Sequence, residues 1–416
     1  MMKKAGGKTA VVFLLTLILT FSVWSSCFAE DPSELNFRRD SMSRTGSEFP
    51  GNMRFLIGEE GNPAGNYTYS DRSSSRYGLP SKEDVNKKGV DQLYISGSAE
   101  YTASQFARMV DWIKTYAPGK AIYVIDLRQE THGFVYGTNE DTSEAISGIP
   151  FSAQAEHNWV NIGMSTKEVI AKEKSILAGM AGKEITYSSG RPGRPGSSGT
   201  TSTTTTISVS RFITEEQMVK ETDENIGYLR LAIPDRTCPE PEIIDMFINF
   251  VKGIDMNNSW LHFHCLAGIG RTGIMMSVYD MMKNPDVPMT DILTRQTMTG
   301  SGYPMSPASS QEYLAAYDAE RLRLIPLIYQ YIQENWKANY PISFSEWLVK
   351  KDEPEPTEAP ASPTPAPTPR PAVIPKTGDT FDLEAAAGHR RDRAGGHAGC
   401  FHTAPSEIKP PSPALK

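Results

Sequence analysis

The stretch that most constrains the fold is residues 260–273, WLHFHCLAGIGRTG, where apolar alternation stops at a cysteine and helical character resumes in RTGIMMSVYDMMK. Alternation over WLHFH suits a strand and the run from Arg271 suits a helix, so Cys265 falls at a strand-to-helix turn. In such a turn the backbone N–H groups of Leu266, Ala267, Gly268, Ile269, Gly270 and Arg271 can curl into a nest facing one point, reinforced by the positive end of the helix. Gly268 and Gly270 are expected to permit the curl, because glycine tolerates dihedrals closed to other residues and lets an anion approach the backbone.

A ring of N–H dipoles with a guanidinium beside it should stabilise a thiolate, which makes Cys265 a candidate nucleophile. The same dipoles suit the equatorial oxygens of a phosphoryl group, and Arg271 can grip two of them in a planar fork. Thr272 is placed to donate its hydroxyl to the sulfur and help it leave when a phosphoenzyme is hydrolysed. A departing alkoxide also needs a proton. The segment AIPDRTCPEP supplies Asp235 on a proline-bracketed loop after the apolar YLRLAI, suited to protonating the leaving oxygen and then deprotonating a water.

The competing readings are an inert core thiol for Cys265 and a turn aspartate for Asp235. The first fails because His, Cys, two Gly, Arg and Thr at this spacing rarely coincide by chance. His262 and His264 share one face of the strand, a pattern compatible with zinc. A nest of N–H donors beside Arg271 attracts anions and repels cations, so neither a metal nor another cofactor is expected. His264 is expected to hydrogen-bond backbone near the sulfur and hold the loop's shape. Cys238, close to Asp235, reads as a free thiol, with a reversible disulfide to Cys265 as the open alternative.

Both ends of the chain differ from its middle. Lys3, Lys4 and Lys8 lead into VVFLLTLILTFSVW, and the small residues of CFA precede Glu30, so residues 1–29 read as a signal peptide and the protein as secreted or displayed at a cell surface. An uncleaved anchor is disfavoured because the run is shorter than the roughly 20 residues of a span. Lipidation at Cys27 fits poorly with Trp24 before it. Residues 351–379 form a proline-rich linker containing IPKTGD at 374–379, which resembles a sortase sorting signal. Residues 380–416 are a low-complexity tail without the hydrophobic span such signals continue into, so cell-wall attachment and a chance match both stay open. The formal net charge of −7 argues against a nucleic-acid partner, and a polyanionic small molecule would require a local basic pocket.

Residues 30–350 are left as one catalytic domain of α/β class, since apolar stretches alternate with helical patterns. QLYIS at 92–96 reads as a strand, Phe106, Met109, Val110 and Ile113 recur at helical spacing, and AIYVIDLR suits a strand buried on both faces. Ser165 with Glu168 forms a capping box, and Thr214 with Gln217 is expected to repeat it. Between those helices, Gly, Pro, Ser and Thr interrupt the rhythm, and residues from about 138 to 210 read as a small β-rich insertion.

Cys265, five residues, Arg271 and Thr272 resemble the phosphate-binding loop of protein tyrosine phosphatases. LYISGSAEYTASQF, IYVIDLRQETHGF, WVNIG, WLHFHCLAGIGRTG and YIQENW together resemble the tyrosine-phosphatase-like phytases, cysteine enzymes that dephosphorylate myo-inositol hexakisphosphate. The resemblance implies a tyrosine-phosphatase-like core, a central sheet flanked by helices, with a small partial β-barrel, and a metal-free mechanism. It makes Arg38 and Glu130 candidates for lining the substrate pocket, and puts Arg236 where the family often carries histidine. Arg191 and Arg194 stand where lysines are usual, while SGYPMSPASSQEY lacks lysine entirely. Two rivals stay open on these residues: a phosphatase of phosphotyrosine or other phosphoproteins, and a surface module that binds polyphosphates without turnover.

Overall fold

The computed structural model describes residues 35–40, 48–56, 75–189 and 203–352. The leader at 1–29, Arg191 and Arg194, the linker beyond Asp352 with its sorting-type motif and the tail at 380–416 lie outside the described residues. In chain order the elements are β1 (Phe37–Arg39), β2 (Arg54–Leu56), β3 (Ile95–Ser98), α1 (Ala103–Tyr116), β4 (Ala121–Arg128), β5 (His132–Asn139), β6 (Glu144–Ala153), α2 (Thr166–Ala178), β7 (Glu184–Ser189) and β8 (Thr203–Ile213). They continue with α3 (Glu215–Thr222), β9 (Gly227–Ile233), α4 (Pro241–Lys252), β10 (Ser259–His264), α5 (Gly270–Lys283), α6 (Met289–Met298), α7 (Ala315–Asn335) and α8 (Phe344–Asp352).

The central sheet runs in the order β2-β3-β10-β4-β9, parallel except for β2. Alternation explains why β10 is buried along its whole length: Leu261 and Phe263 join the core under α4 to α8, while Trp260 joins the core under α1 and α3. The buried run of β4 divides the same way, with Ile125 and Leu127 on one side and Ile122 and Val124 on the other. Because β10 lies between parallel β3 and β4, its last residue, His264, delivers Cys265 to the carboxyl edge of the sheet. That crevice is where open α/β sheets bind ligands.

The second sheet is antiparallel throughout, in the order β1-β6-β5-β8-β7. Its outer strands β1 and β7 curl back toward one another, with Phe37 packed edge-on against Phe212 at 5.1 Å, so the sheet forms a partial barrel. Ile176 and Leu177 of α2 complete its core.

Four expectations are corrected. The strand expected at 92–96 begins instead at Ile95, because Gly89 and Tyr94 both take positive φ and the intervening residues coil into a 3-10 turn. The β-rich unit begins at His132 rather than near 138, ends at Ile213, and recruits β1 from far upstream. Thr214 caps α3 by accepting from Gln217 N, but the Gln217 side chain reaches forward to Glu221, so only half a box forms. Helix α8 continues to Asp352 because Phe344, Trp347 and Leu348 still bury one of its faces. The capping box of α2 forms as expected.

Candidate active site

The loop after β10 is shaped by where its carbonyls go. Leu266 O accepts from Glu100 N at 3.1 Å, Ala267 O from Asn52 Nδ2 at 2.7 Å, Gly268 O from Arg54 Nη1 at 2.6 Å, and Ile269 O from Gly302 N at 3.3 Å. Each of these acceptors is turned onto a donor outside the loop, and a peptide plane that points its oxygen out points its N–H in. Gly268 N donates to Cys265 Sγ at 3.2 Å, and Cys265 is buried at the base of the coil.

The two loop glycines are not equivalent. Gly268 has φ +70°, and a Cβ there would lie 2.3 Å from the carbonyl carbon of Ser98. Gly270 has no such dihedral, and a Cβ there would meet nothing within 4 Å, so the curl depends on Gly268 alone.

Arg271 projects from the first turn of α5 and is held by a buried fork: Nη1 donates to Glu130 Oε2 at 2.8 Å and Nη2 to Glu130 Oε1 at 3.1 Å. Nη1 also donates to Ile233 O at 3.0 Å, at the start of the loop that carries Asp235. Burial works against the charge, but Glu130, Asp235 and Cys265 outweigh it and push the guanidinium above its ordinary range. Glu130 was expected to line the substrate pocket. It is instead wholly buried and spent on Arg271 and Arg128, which hold its carboxyl well below the usual range against burial, so it orients Arg271 and does not meet solvent.

Asp235 stands over this arrangement, with Oδ1 3.1 Å from Arg271 Nη2 and its side chain about one-fifth exposed at 22%. Asn158 Nδ2 donates to its Oδ2 at 2.6 Å, and Trp159 Nε1 to its backbone O at 2.9 Å. Arg38 reaches the same cluster by donating to Asn158 Oδ1. Arg236 donates to Tyr313 OH at 2.7 Å and Gln311 Oε1 at 3.0 Å on the far side of the acid loop. A cavity of about 300 Å³ flanks the Gly270–Arg271 end, bordered by Arg236, Tyr303, Ser306 and Arg321. A larger hollow of about 480 Å³ lies among α2, α3, β9 and α4, and Cys265 does not line it.

Two further expectations change. The His264 ring makes no hydrogen bond to backbone among the described residues; its Nε2 lies 2.7 Å from Glu215 Oε1, close enough to pair though not aligned as a hydrogen bond, with Glu100 and Asp126 beyond. Burial would push this imidazole down, but Glu215, Asp126 and Glu100 carry it up to about 9. The Thr272 hydroxyl is buried without a hydrogen-bond partner among the described residues, so no contact to Sγ is formed. His262 takes the opposite state to His264: Ser96 and Ser98 hydroxyls meet its two nitrogens at 2.9 and 3.1 Å, and burial with His264 nearby holds it well below the ordinary histidine range.

Beneath the loop lies a buried ionic layer that the motif reading missed. Asp126, Arg128, Glu130 and His132 occur at every second position from β4 into β5. Arg128 joins Glu130 at 3.0 Å to Asp40 at 2.9 Å and Glu100 at 2.6 Å, while Arg230 joins Asp126 at 2.6 Å to Glu173. Ionisable residues at period two inside a buried strand were the available signal. Two trios here, Glu100 with His132 and Glu215, and Asp126 with Glu215 and His264, bring metal-ligating atoms within 4.8 Å of one another. Their carboxylates are already shared with Arg128, Arg230 and the two imidazoles, an ion network more than a cation cradle.

The family model for protein-tyrosine-phosphatase-like phytases, described by inositol hexakisphosphate, matches residues 125–283, from β4 through α5. The tandemly repeated protein tyrosine phosphatase like phytase of Mitsuokella multacida is 31% identical, with a TM-score of 0.61 over 76% of this chain. From β4 through α5 the chain matches the tyrosine-phosphatase-like phytase family. A second Mitsuokella structure, of the myo-inositol phosphatase in complex with myo-inositol-(1,3,4,5)-tetrakisphosphate, is also 31% identical with a TM-score of 0.60. A family phytase from Bdellovibrio bacteriovorus shares the fold at 24% identity and TM-score 0.51, covering 76% of this chain and 95% of its own. Effector protein hopD2 of Pseudomonas syringae pv. tomato is 24% identical over 270 residues, 63% of this chain. The chain spans about half of the first of these relatives, 49% of the Mitsuokella chain and 53% of the effector.

Proposed function

We propose that the protein is a phosphoric monoester hydrolase that removes phosphates stepwise from myo-inositol hexakisphosphate and related inositol polyphosphates through a cysteinyl-phosphate on Cys265. The observation that carries this reading is the loop itself: four carbonyls held outward, a thiol at the base, and Arg271 and Asp235 3.1 Å apart at the mouth. A phosphoryl group seated in the coil receives inward N–H groups on its equatorial oxygens and the Arg271 fork on two of them.

Cys265 Sγ attacks phosphorus as the bond to the ring oxygen breaks, and Asp235 gives that oxygen its proton. Water then attacks phosphorus, Asp235 takes the water's proton, the phosphorus–sulfur bond breaks and phosphate leaves. Arg38, Arg236 and the cavity beside Gly270 are the groups available to phosphates not undergoing reaction. Their number favours an inositol ring carrying several phosphates over a peptide with one.

Time-resolved analysis of the inositol phosphates formed from the hexakisphosphate tests the reading. Stepwise lower phosphates in the presence of EDTA, lost in Cys265→Ser, are expected; strong preference for a phosphotyrosine peptide, or tight binding without phosphate release, would replace it with a protein phosphatase or a binding module. We propose export as well, on the leader at residues 1–29. Mature protein outside the cell beginning near Glu30 is the expected finding, and N-terminal sequencing checks it.

A further inference from the structure

We propose that Asn158 is a positioning residue for the acid Asp235, and that the partial barrel thereby fixes the acid of a site whose nucleophile belongs to the central sheet. The proposal rests on Asp235 being the general acid. Asn158 sits in the 3-10 turn Glu156–Asn158 that leaves barrel strand β6, and it faces two partners of opposite kind. Arg38 on β1 only donates, so the atom it meets must be the amide oxygen, and this leaves Asn158 Nδ2 to donate to Asp235 Oδ2 at 2.6 Å. The Arg38 guanidinium is in turn held by Ser152 Oγ at 3.3 Å, so the amide cannot rotate without losing both bonds.

The local backbone supports a dedicated role. His157, Asn158 and Arg236 all take positive φ, at 58°, 65° and 67°; Asn158 bonds the aspartate, His157 precedes Asn158 in the turn and Arg236 follows Asp235 in the chain. Left-handed residues carry strain that persists only where the surroundings enforce it, and asparagine bears it better than most. Trp159 Nε1 fastens the backbone O of Asp235, and His157 stacks on Tyr313 at 3.7 Å while Tyr313 receives Arg236. The acid loop is thus held from the barrel on one side and from the segment before α7 on the other.

The arrangement assigns the proton. With Oδ2 committed to the Asn158 amide, Oδ1, which faces Arg271, is the oxygen that delivers the proton to the leaving group and later takes one from water.

The test is steady-state kinetics on two esters with the full-length protein. Inositol hexakisphosphate has alkoxide leaving groups that need protonation, whereas para-nitrophenyl phosphate has one that needs little. Asn158→Gly removes the donor while relaxing the left-handed turn. It is expected to lower kcat/KM, which reports formation of the phosphoenzyme, by roughly ten- to a hundredfold on the alkyl ester and by less than about threefold on the aryl ester, a loss that position alone can cause. Asn158→Asp, which keeps the shape and turns the donor into an acceptor facing a carboxylate, is expected to lose at least as much. In an Asp235→Asn background neither change should cost more. Equal losses of kcat/KM on both esters, or additive losses in the double variant, would overturn the proposal. Wild-type turnover of the alkyl ester that does not depend on Asp235 would remove the acid assignment beneath it.

Discussion

Arg271 and Glu130 meet through two parallel contacts, 2.8 and 3.1 Å, with side chains 1% and 0% exposed. A guanidinium gripped along one edge presents its other edge in a fixed plane, which is what a two-point hold on a phosphoryl group requires. Glu130→Gln keeps the volume and removes the charge, leaving Arg271 buried with half its partner. Expected are a loss of about 3–5 kcal/mol in unfolding free energy and a fall in kcat of about a hundredfold or more. Chemical denaturation beside steady-state kinetics reads both; wild-type kcat in the folded variant would contradict the orienting role.

Gly268 and Gly270 differ in a way that a paired substitution can expose. At Gly268 an alanine must hold φ near +70° and place Cβ against the backbone of Ser98 and Ala99, at 2.3 and 2.4 Å. Gly268→Ala is therefore expected to open the coil, abolish turnover and cost about 1–3 kcal/mol. Gly270→Ala meets open space and should melt within about 0.5 kcal/mol of wild type. Thermal unfolding of the two variants decides, and equal destabilisation would show that the curl is shared.

How much of this was legible in the sequence depends on the distance over which each residue acts. The roles proposed for Cys265, Arg271 and Asp235 can be read locally, because that chemistry needs a local loop or a fixed short spacing. Apolar period placed β4, β10 and the helices around them for the same reason. Glu130 was found but given the wrong partner, since nothing in DLRQE says that its carboxylate turns inward toward a residue more than a hundred positions later. Asn52, Arg54 and Asn158 were invisible, because their roles depend on tertiary approach: Arg54 reaches Gly268 O across 214 positions, Asn158 reaches Asp235 across 77. Thr214 shows the reverse failure, where a capping pattern was present but Glu221 competed for the reciprocal side chain.

Cys238 and Cys265 are both free and both buried, but their surroundings differ. Burial pushes the Cys238 thiol up to about 12, whereas Cys265 opens onto inward N–H groups and receives one from Gly268. Brief treatment of the native protein with iodoacetamide is expected to modify Cys265 and stop turnover, with Cys238 reacting only after denaturation. Cys238→Ala should keep wild-type kcat. Peptide mass mapping checks this, and a Cys238–Cys265 disulfide after mild peroxide would restore the redox pairing as a serious reading.

The buried layer beneath the loop makes stability depend on pH with a sign that can be worked out. His264 is carried up to about 9 and His132 to about 10: burial lowers both, as do Arg128 and Arg230 for His132, but Glu215 and Asp126 around the first, and Asp126 and Glu173 around the second, outweigh it. Between the ordinary histidine value near 6.5 and these raised values the folded chain holds protons the unfolded chain has lost, so stability falls as pH rises through that window. Glu100, raised to about 7 by burial and by Glu215, acts in the same direction between 4.5 and 7. Glu215 acts oppositely: burial would raise it, but His264 and His132 bring it down to about 2, so its contribution is complete above 4.5 and is lost on acidification. The melting temperature is therefore expected to peak at about pH 5–6 and to fall steadily toward pH 10. In His264→Gln the part of that decline below pH 9 should shrink, because the variant has no imidazole to deprotonate. Differential scanning calorimetry across this range tests it, and a melting temperature that is flat or rising between pH 6.5 and 9 would mean that the imidazoles beneath Cys265 are not held charged.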